Sequence, residues 1–165
     1  MSNEHNSTET AAGRPGESSA ATANTLTMTR ILKAPRDLVF AAWMDPDQLA
    51  QWWAPEHLHT PRETVTIEPR VGGMWAATMV MDDGGMEFPS TGTFTRMDPP
   101  SGFELRHEPN EFFAWPVTVN VAFEDVDGGT RLTVVQHFHT ETFDSGNALL
   151  GWGSQLEKLR VLLAA

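Results

Sequence analysis

The chain has 165 residues, of which 40% are hydrophobic, and this suits one globular domain with a sizeable core. Its 22 acidic residues against 11 Lys and Arg give a formal net charge of -11, which disfavours binding to nucleic acid or to anionic membrane surfaces. The absence of Cys excludes disulfides, thiolate metal sites and cysteine nucleophiles. The sequence shows no apolar run of about 20 residues and no secretory signal, so we expect a cytoplasmic protein without membrane insertion.

The first segment, residues 1–24, contains no Val, Ile, Leu, Phe or Trp. A segment of this composition buries too little apolar surface to offset the entropy lost on ordering. The sequence therefore predicts a disordered polar tail over 1–24 and a single domain over 25–165.

The domain begins with an alternation of apolar and polar residues over 25–33, which predicts a strand. Two short helices should follow, the first with Pro35 at its first helical position. The second helix should begin after Asp45 as N-cap, with Gln48 completing a capping box. Trp52 and Trp53 on that helix are expected to be core residues, and the alternative is that they form the mouth of a ligand cavity.

The middle of the chain alternates strand patterns with turn signals. The predicted strands are 64–69, 73–81, 88–97, 103–108, 117–125 and 131–139. Residues 145–164 place apolar side chains at helical spacing and predict one long amphipathic helix. Because a meander of strands cannot bury its face alone, the pattern predicts an α+β domain whose curved antiparallel sheet wraps around the C-terminal helix.

Several motifs in this order resemble those of a known family. They are Ala34-Pro35, Trp52-Trp53-Ala54-Pro55, Gly72-Gly73-Met74-Trp75, Gly92-Thr93-Phe94, Asp98-Pro99-Pro100, Thr130-Arg131-Leu132-Thr133 and Gly151-Trp152. The domain is similar to bacterial proteins related to the C-terminal domain of the activator of heat-shock-protein-90 ATPase, in the START-like, Bet v 1-like (SRPBCC) superfamily. The resemblance implies a helix-grip fold of about six or seven strands, with a cavity between the sheet and the last helix.

Strand alternation indicates which side chains face that helix. Together with the aromatic loop before Pro116 and one face of the helix, it gives a candidate ligand cavity: Trp75, Ala77, Met79, Phe94, Leu105, His107, Phe113, Trp115, Val119, Val121, Gln136, Phe138, Gly151, Trp152 and Leu156. Most of this set is apolar, and His107 and Gln136 each add one polar group, which is typical of a small-molecule site. The alternative is a filled core in which both polar groups bond to neighbouring backbone.

Gly151 and Gly153 lie within one turn of the last helix, and each lowers the stability of the helix by about 1 kcal/mol relative to alanine. Close packing against the sheet would explain Gly153, whereas the resemblance implies an opening near Gly151.

Other chemistry has little support in the residues. His137 and His139 should share the outer face of their strand without a fixed third ligand, so we expect no metal and no cofactor. No nucleophile elbow is present. His107 with Gln136, helped by Glu87 or Arg106, would be the pair for acid–base work.

The favoured function is that of a carrier or sensor that binds a small hydrophobic or aromatic molecule. One alternative is a cyclase/aromatase-like or hydrolase-like enzyme on the same scaffold, although no catalytic constellation is identifiable. The second alternative, from the resemblance, is a chaperone ATPase activator. We expect a monomer or a homodimer.

Overall fold

The computed structural model describes residues 8–9, 14–22, 24–111, 114–140 and 146–164. Within them the strands are β1 (Thr8–Glu9), β2 (Ser18–Ala21), β3 (Thr25–Leu32), β4 (Leu58–His59), β5 (Thr66–Ile67), β6 (Met74–Met81), β7 (Glu87–Asp98), β8 (Gly102–His107), β9 (Val117–Val126) and β10 (Gly129–Phe138). The helices are α1 (Arg36–Met44), α2 (Pro46–Trp52) and α3 (Gly146–Ala164), with one 3₁₀ turn at Arg62–Thr64. No helix among these residues is long and apolar enough to cross a membrane.

All described strands belong to one antiparallel sheet in the order β1-β2-β3-β10-β9-β8-β7-β6-β4, with β5 paired separately to β6. A register shift between Phe94 and Arg96 places a bulge in β7, and a bulge bends the strand that carries it. α3 packs against the inner face through Leu149, Trp152, Leu156 and Leu159, all of them buried. This is the predicted helix-grip α+β fold.

The two short helices are fixed to each other by polar contacts. The Asp45 carboxylate accepts a hydrogen bond from the Asp47 N–H at 2.9 Å, which satisfies one free donor at the start of α2. The Trp52 indole N–H donates to the Ala42 carbonyl at 3.0 Å. Asp45 is therefore the predicted N-cap, whereas Pro35 precedes α1 as its cap instead of occupying its first turn.

Aromatic rings join the helices to the sheet. Trp43 lies at the centre, with ring centroids 4.7 Å from Trp52, 5.5 Å from Phe103 and 6.1 Å from Trp152. The first two pairs are edge-to-face and the third is stacked, and ring pairs in either arrangement add to the free energy gained from burial alone. We call Trp43, Trp52, Trp53, Trp75, Phe103, Phe123 and Trp152 the aromatic cluster.

One predicted strand is largely wrong. Residues 64–69 contain only the two-residue strand β5, because the Thr64 side chain bonds back to the Pro61 carbonyl and the Val65 N–H to the Arg62 carbonyl, closing a 3₁₀ turn. The chain then folds back so closely that a Cβ on Gly73 would lie 2.1 Å from the Glu68 carbonyl oxygen. Only glycine fits there.

The N-terminal segment also differs from expectation. Ser18–Ala21, predicted to be disordered, pairs with β3 in antiparallel register. The Glu17 carboxylate accepts hydrogen bonds from the Ile31 N–H at 2.9 Å and from the Arg160 guanidinium at 2.7 Å. Composition alone did not predict this strand, because it is held by backbone hydrogen bonds to β3 and by two ion pairs to α3, Glu17–Arg160 and Arg14–Glu157.

Candidate ligand-binding cavity

A cavity of about 230 Å³ lies between the inner face of the sheet and the first half of α3. Its walls come from β6 to β10, from α3, and from the segments that follow α2 and β8. The lining residues are Trp53, Pro55, Met79, Ser90, His107, Glu108, Asn110, Val117, Val119, Gln136, Phe138, Ala148, Gly151, Trp152 and Gln155. The space is thus bounded mostly by apolar side chains, with a few polar groups.

The indole rings of Trp53 and Trp152 form one wall. Their centroids are 5.3 Å apart and their planes nearly perpendicular, at 87°. Both rings belong to the aromatic cluster, which fixes their positions from behind. A wall of this kind is preorganised for an apolar or aromatic molecule.

His107, the last residue of β8, is the cavity's imidazole. Its Nδ1 donates to the Thr91 carbonyl at 2.8 Å and lies 3.3 Å from the Ser90 hydroxyl. Gly92 makes room for the ring, since a Cβ there would lie 3.0 Å from Nδ1. Loss of hydration lowers the pKa of His107 below its usual 6.5, against the opposing hydrogen bond to Thr91. The ring is therefore neutral at pH 7, with its proton on Nδ1 and an acceptor at Nε2.

The carboxamides of Gln136 and Gln155 add further polar groups to a lining that also includes Ser90, Glu108 and Asn110. The Gln136 oxygen accepts a hydrogen bond from the Trp152 indole N–H at 2.8 Å, which leaves the Gln136 amide nitrogen without an acceptor in the described part of the chain. Gln155 on α3 is only 6% exposed, and its buried amide nitrogen has no hydrogen-bond partner among the described residues. Both amide nitrogens are thus available as donors.

Sequence prediction located part of this lining. Met79, His107, Val119, Gln136, Phe138, Gly151 and Trp152 line the cavity. Trp75, Ala77, Phe94, Leu105, Val121 and Leu156 are buried in the surrounding core instead, because the ring and aliphatic packing fills the inner face beyond the cavity. Trp115 is half-buried and is not among the described lining residues, and Phe113 lies outside the described residues.

Several residues of the cavity lining were not predicted from the sequence. Gln155 lies four positions after Gly151 and Val117 two before Val119, so helical and strand periodicity would have found both. Trp53 was predicted to be a core residue, and its side chain belongs both to the core and to the cavity lining. Pro55, Ser90 and Ala148 carry no signal in the sequence that distinguishes them from ordinary packing residues.

The two helix glycines differ in their surroundings. Gly151 lines the cavity, and a Cβ there would lie 3.8 Å from Pro55, which is ordinary contact. A Cβ on Gly153 would meet only the Met28 methyl at 4.0 Å. The prediction that close packing explains Gly153 is therefore wrong.

His137 and His139 lie on the outer face, as predicted. His137 pairs with the Thr25 hydroxyl at 2.8 Å and His139 with the Thr118 hydroxyl at 2.6 Å. Across the described residues, no group of three or more His, Asp or Glu is placed to hold a metal ion.

A family model described as Activator of Hsp90 ATPase homolog 1-like protein matches residues 33–164. The chain belongs to this family. β1, β2 and β3 precede the part that the family model matches, so the ion pair between Glu17 and Arg160 joins a segment outside it to one inside.

Solved structures include similar members of the Activator of Hsp90 ATPase homolog 1-like family. The chain is 27% identical to the AHSA1 protein from Silicibacter pomeroyi, with a TM-score of 0.71 over 85% of this chain and 97% of that one. It is 26% identical to an AHSA1-like protein from Aeromonas hydrophila, with a TM-score of 0.70 over 85% and 93%. A Chromobacterium violaceum protein, 23% identical with a TM-score of 0.79 over 86% and 98%, shares the fold. No curated protein matches the chain significantly.

Proposed function

We propose that this protein binds a small hydrophobic or aromatic molecule in the cavity between the sheet and α3, as a carrier or sensor. The observation that carries the proposal is the cavity itself, with its indole wall and with polar groups that have no partner among the residues that the structure describes. Its cytoplasmic location and its monomeric or homodimeric state stay predictions.

The volume of the cavity limits the size of the ligand. At about 230 Å³ it exceeds the roughly 150 Å³ that accepts benzene and falls below the roughly 300 Å³ at which pockets for drug-sized molecules begin. A molecule of one or two rings fits this range.

The titratable groups of the lining favour binding over catalysis. Among the described lining residues they are His107 and Glu108, and the Glu108 carboxylate is exposed and paired with Arg106 at 2.8 Å. Nδ1 of His107 carries a proton and donates a hydrogen bond to the Thr91 carbonyl, so it is not available as a base for Ser90. Acid–base catalysis needs two groups with separate roles, and this arrangement offers one.

The test is native mass spectrometry of the purified full chain, followed by denaturing extraction. We expect a reproducible adduct of small-molecule mass on the wild-type chain. It should be absent from Gly151→Leu, because the added side chain occupies the cavity. Gly153→Ala is the matched control: it changes a glycine two residues away that does not line the cavity, and it should keep the adduct.

An adduct that persists unchanged in Gly151→Leu would contradict the proposal. Incubation of the extracted molecule with fresh protein separates the enzyme alternative. Conversion that His107→Ala abolishes would indicate catalysis, and an unchanged molecule would indicate carriage.

A further inference from the structure

We propose that the cavity selects uncharged aromatic molecules carrying both a carbonyl and a hydroxyl group, with the carbonyl oxygen accepting from the Gln155 carboxamide and the hydroxyl donating to Nε2 of His107. This inference rests on the proposed function, and it names the chemical class of the ligand.

Gln155 presents a buried hydrogen-bond donor to the cavity. Its side chain is buried, lines the cavity and makes no hydrogen bond to any residue that the structure describes. Buried polar groups almost always have a partner in the folded protein. The partner that this amide nitrogen lacks is an acceptor, and a carbonyl oxygen supplies one without introducing a charge.

His107 gives the complementary requirement. Because Nδ1 donates to the Thr91 carbonyl, the neutral ring presents Nε2 as an acceptor, and no described side chain donates to it. A hydroxyl group on the ligand fits that lone pair. The Gln155 donor and the His107 acceptor thus require one acceptor and one donor on the ligand.

Charge excludes ionised ligands. The described lining contains neither Lys nor Arg, and its one carboxylate, that of Glu108, is paired with Arg106. Lys158, three residues beyond Gln155, donates to the Pro55 and Leu58 carbonyls, both at 3.2 Å. An anion in this space would be desolvated without a counter-ion. A cation would face the amide donors of Gln136 and Gln155.

The indole wall and the small volume of the cavity favour an aromatic ligand of one or two rings. Trp53 and Trp152 favour an aromatic ring, and 230 Å³ admits one or two rings. A simple member of the class is 4′-hydroxyacetophenone. Matched compounds that each lack one feature are 4-ethylphenol (no carbonyl) and acetophenone (no hydroxyl), while 4-hydroxybenzoate carries a charge.

The experiment titrates these four compounds into the full-length chain and measures affinity by isothermal calorimetry and by ¹H–¹⁵N chemical shifts. We expect 4′-hydroxyacetophenone to bind about five- to tenfold more tightly than either compound lacking one polar group, and 4-hydroxybenzoate to bind most weakly. Gln155→Leu should weaken 4′-hydroxyacetophenone about five- to tenfold and leave 4-ethylphenol unchanged. Gln155→Met provides a second apolar variant in case Gln155→Leu folds poorly, and exposed Gln51→Leu is the matched control.

The two proposals fail in different ways. If all compounds bind equally, or if Gln155→Leu weakens 4-ethylphenol as much as 4′-hydroxyacetophenone, the inference about polar groups is overturned while cavity binding stands. If no compound binds the wild-type chain, or if binding survives Gly151→Leu, the proposed function is overturned with it.

Discussion

The hydrogen bond between Trp152 and Gln136 fixes the orientation of a carboxamide whose two ends look alike. Because an indole N–H can only donate, the Gln136 atom at 2.8 Å must be the oxygen, and the amide nitrogen is left as the free donor. The sequence predicted that Gln136 faces inward, from strand alternation alone. It did not predict this partner, because Trp152 is on a helix and no spacing rule links the two residues.

His107 should give the stability of the protein a measurable pH dependence. Its folded pKa is below the usual 6.5, so between pH 6.5 and that lower value the unfolded chain binds more protons than the folded one. Its contribution to the free energy of unfolding is therefore complete above about pH 6.5 and is lost as the pH falls toward the folded pKa. The slope from one such group is at most about 1.4 kcal/mol per pH unit.

Urea unfolding at a series of pH values from 5 to 8 measures this contribution. We expect His107→Gln to flatten the profile below pH 6.5. A profile with the same slope as that of the wild-type chain would show that His107 does not titrate differently in the two states.

At the scale of elements, α3 carries two glycines that its packing does not require. Neither an added Cβ on Gly151 nor one on Gly153 would meet an atom closer than 3.8 Å. Glycine in a helix interior costs about 1 kcal/mol relative to alanine, mainly through backbone entropy. The empty space beside Gly151 belongs to the cavity, whereas the one beside Gly153 has no such explanation in the structure.

Gly153→Ala should therefore stabilise the protein by about 0.5–1 kcal/mol. Chemical unfolding with an unchanged denaturant slope would measure it. A loss of stability would show that the Met28 methyl, 4.0 Å from the new Cβ, cannot accommodate it.

Most elements were predictable from the sequence because their patterns are strong. Alternation located β3, β6, β8, β9 and β10, and the spacing of apolar residues located α3. The segment 64–69 failed because a side-chain hydrogen bond from Thr64 closes a turn where the apolar pattern indicates a strand. The spacing of apolar residues indicates which side chains are buried. It does not indicate where a side chain competes with a neighbouring strand for hydrogen bonds to the backbone.

At the scale of the whole molecule, the Glu17–Arg160 pair connects the first described segment of appreciable length to the last helix. The Glu17 side chain is fully buried and accepts from both the Ile31 N–H and the Arg160 guanidinium, while Arg160 also contacts Glu157 at 3.2 Å. Burial raises the pKa of Glu17, but these two hydrogen bonds, together with the positive charges of Arg160 and Arg30, outweigh it and hold the pKa below 4.5. A pair so distant in sequence, with a partner in a polar segment, has no signature that sequence analysis detects.

Glu17→Gln should destabilise the protein by about 1–3 kcal/mol, less than for a fully buried pair because Arg160 keeps Glu157 as a partner. The carboxylate's contribution is complete above about pH 4.5 and is lost as the pH falls toward its lower folded pKa, so the difference between wild type and variant should shrink below pH 4.5. Thermal unfolding at pH 7 and at pH 3.5 measures both. The half-exposed Glu157→Gln, which should cost at most about 1 kcal/mol, is the control.

The cavity was the least predictable part of the whole. Residues such as Trp75 and Leu105 carry the same inward pattern as Val119 and Phe138, yet the first two are core and the last two line empty space. Alternation identifies which face is covered. It cannot tell which part of that face is filled, since this depends on side chains from α2 and α3 that meet only in the folded chain.

The aromatic cluster contains most of the indole side chains through which this protein absorbs near-ultraviolet light. The chain has 6 Trp and no Tyr, and five of those indoles, at positions 43, 52, 53, 75 and 152, belong to the cluster. Neighbouring ring centroids only 4.7–6.1 Å apart couple the electronic transitions of these chromophores, and Trp53 and Trp152 extend the coupling to the cavity wall. We therefore expect the near-ultraviolet circular dichroism of the folded chain to be dominated by one coupled array of indoles, two of which form a wall of the cavity.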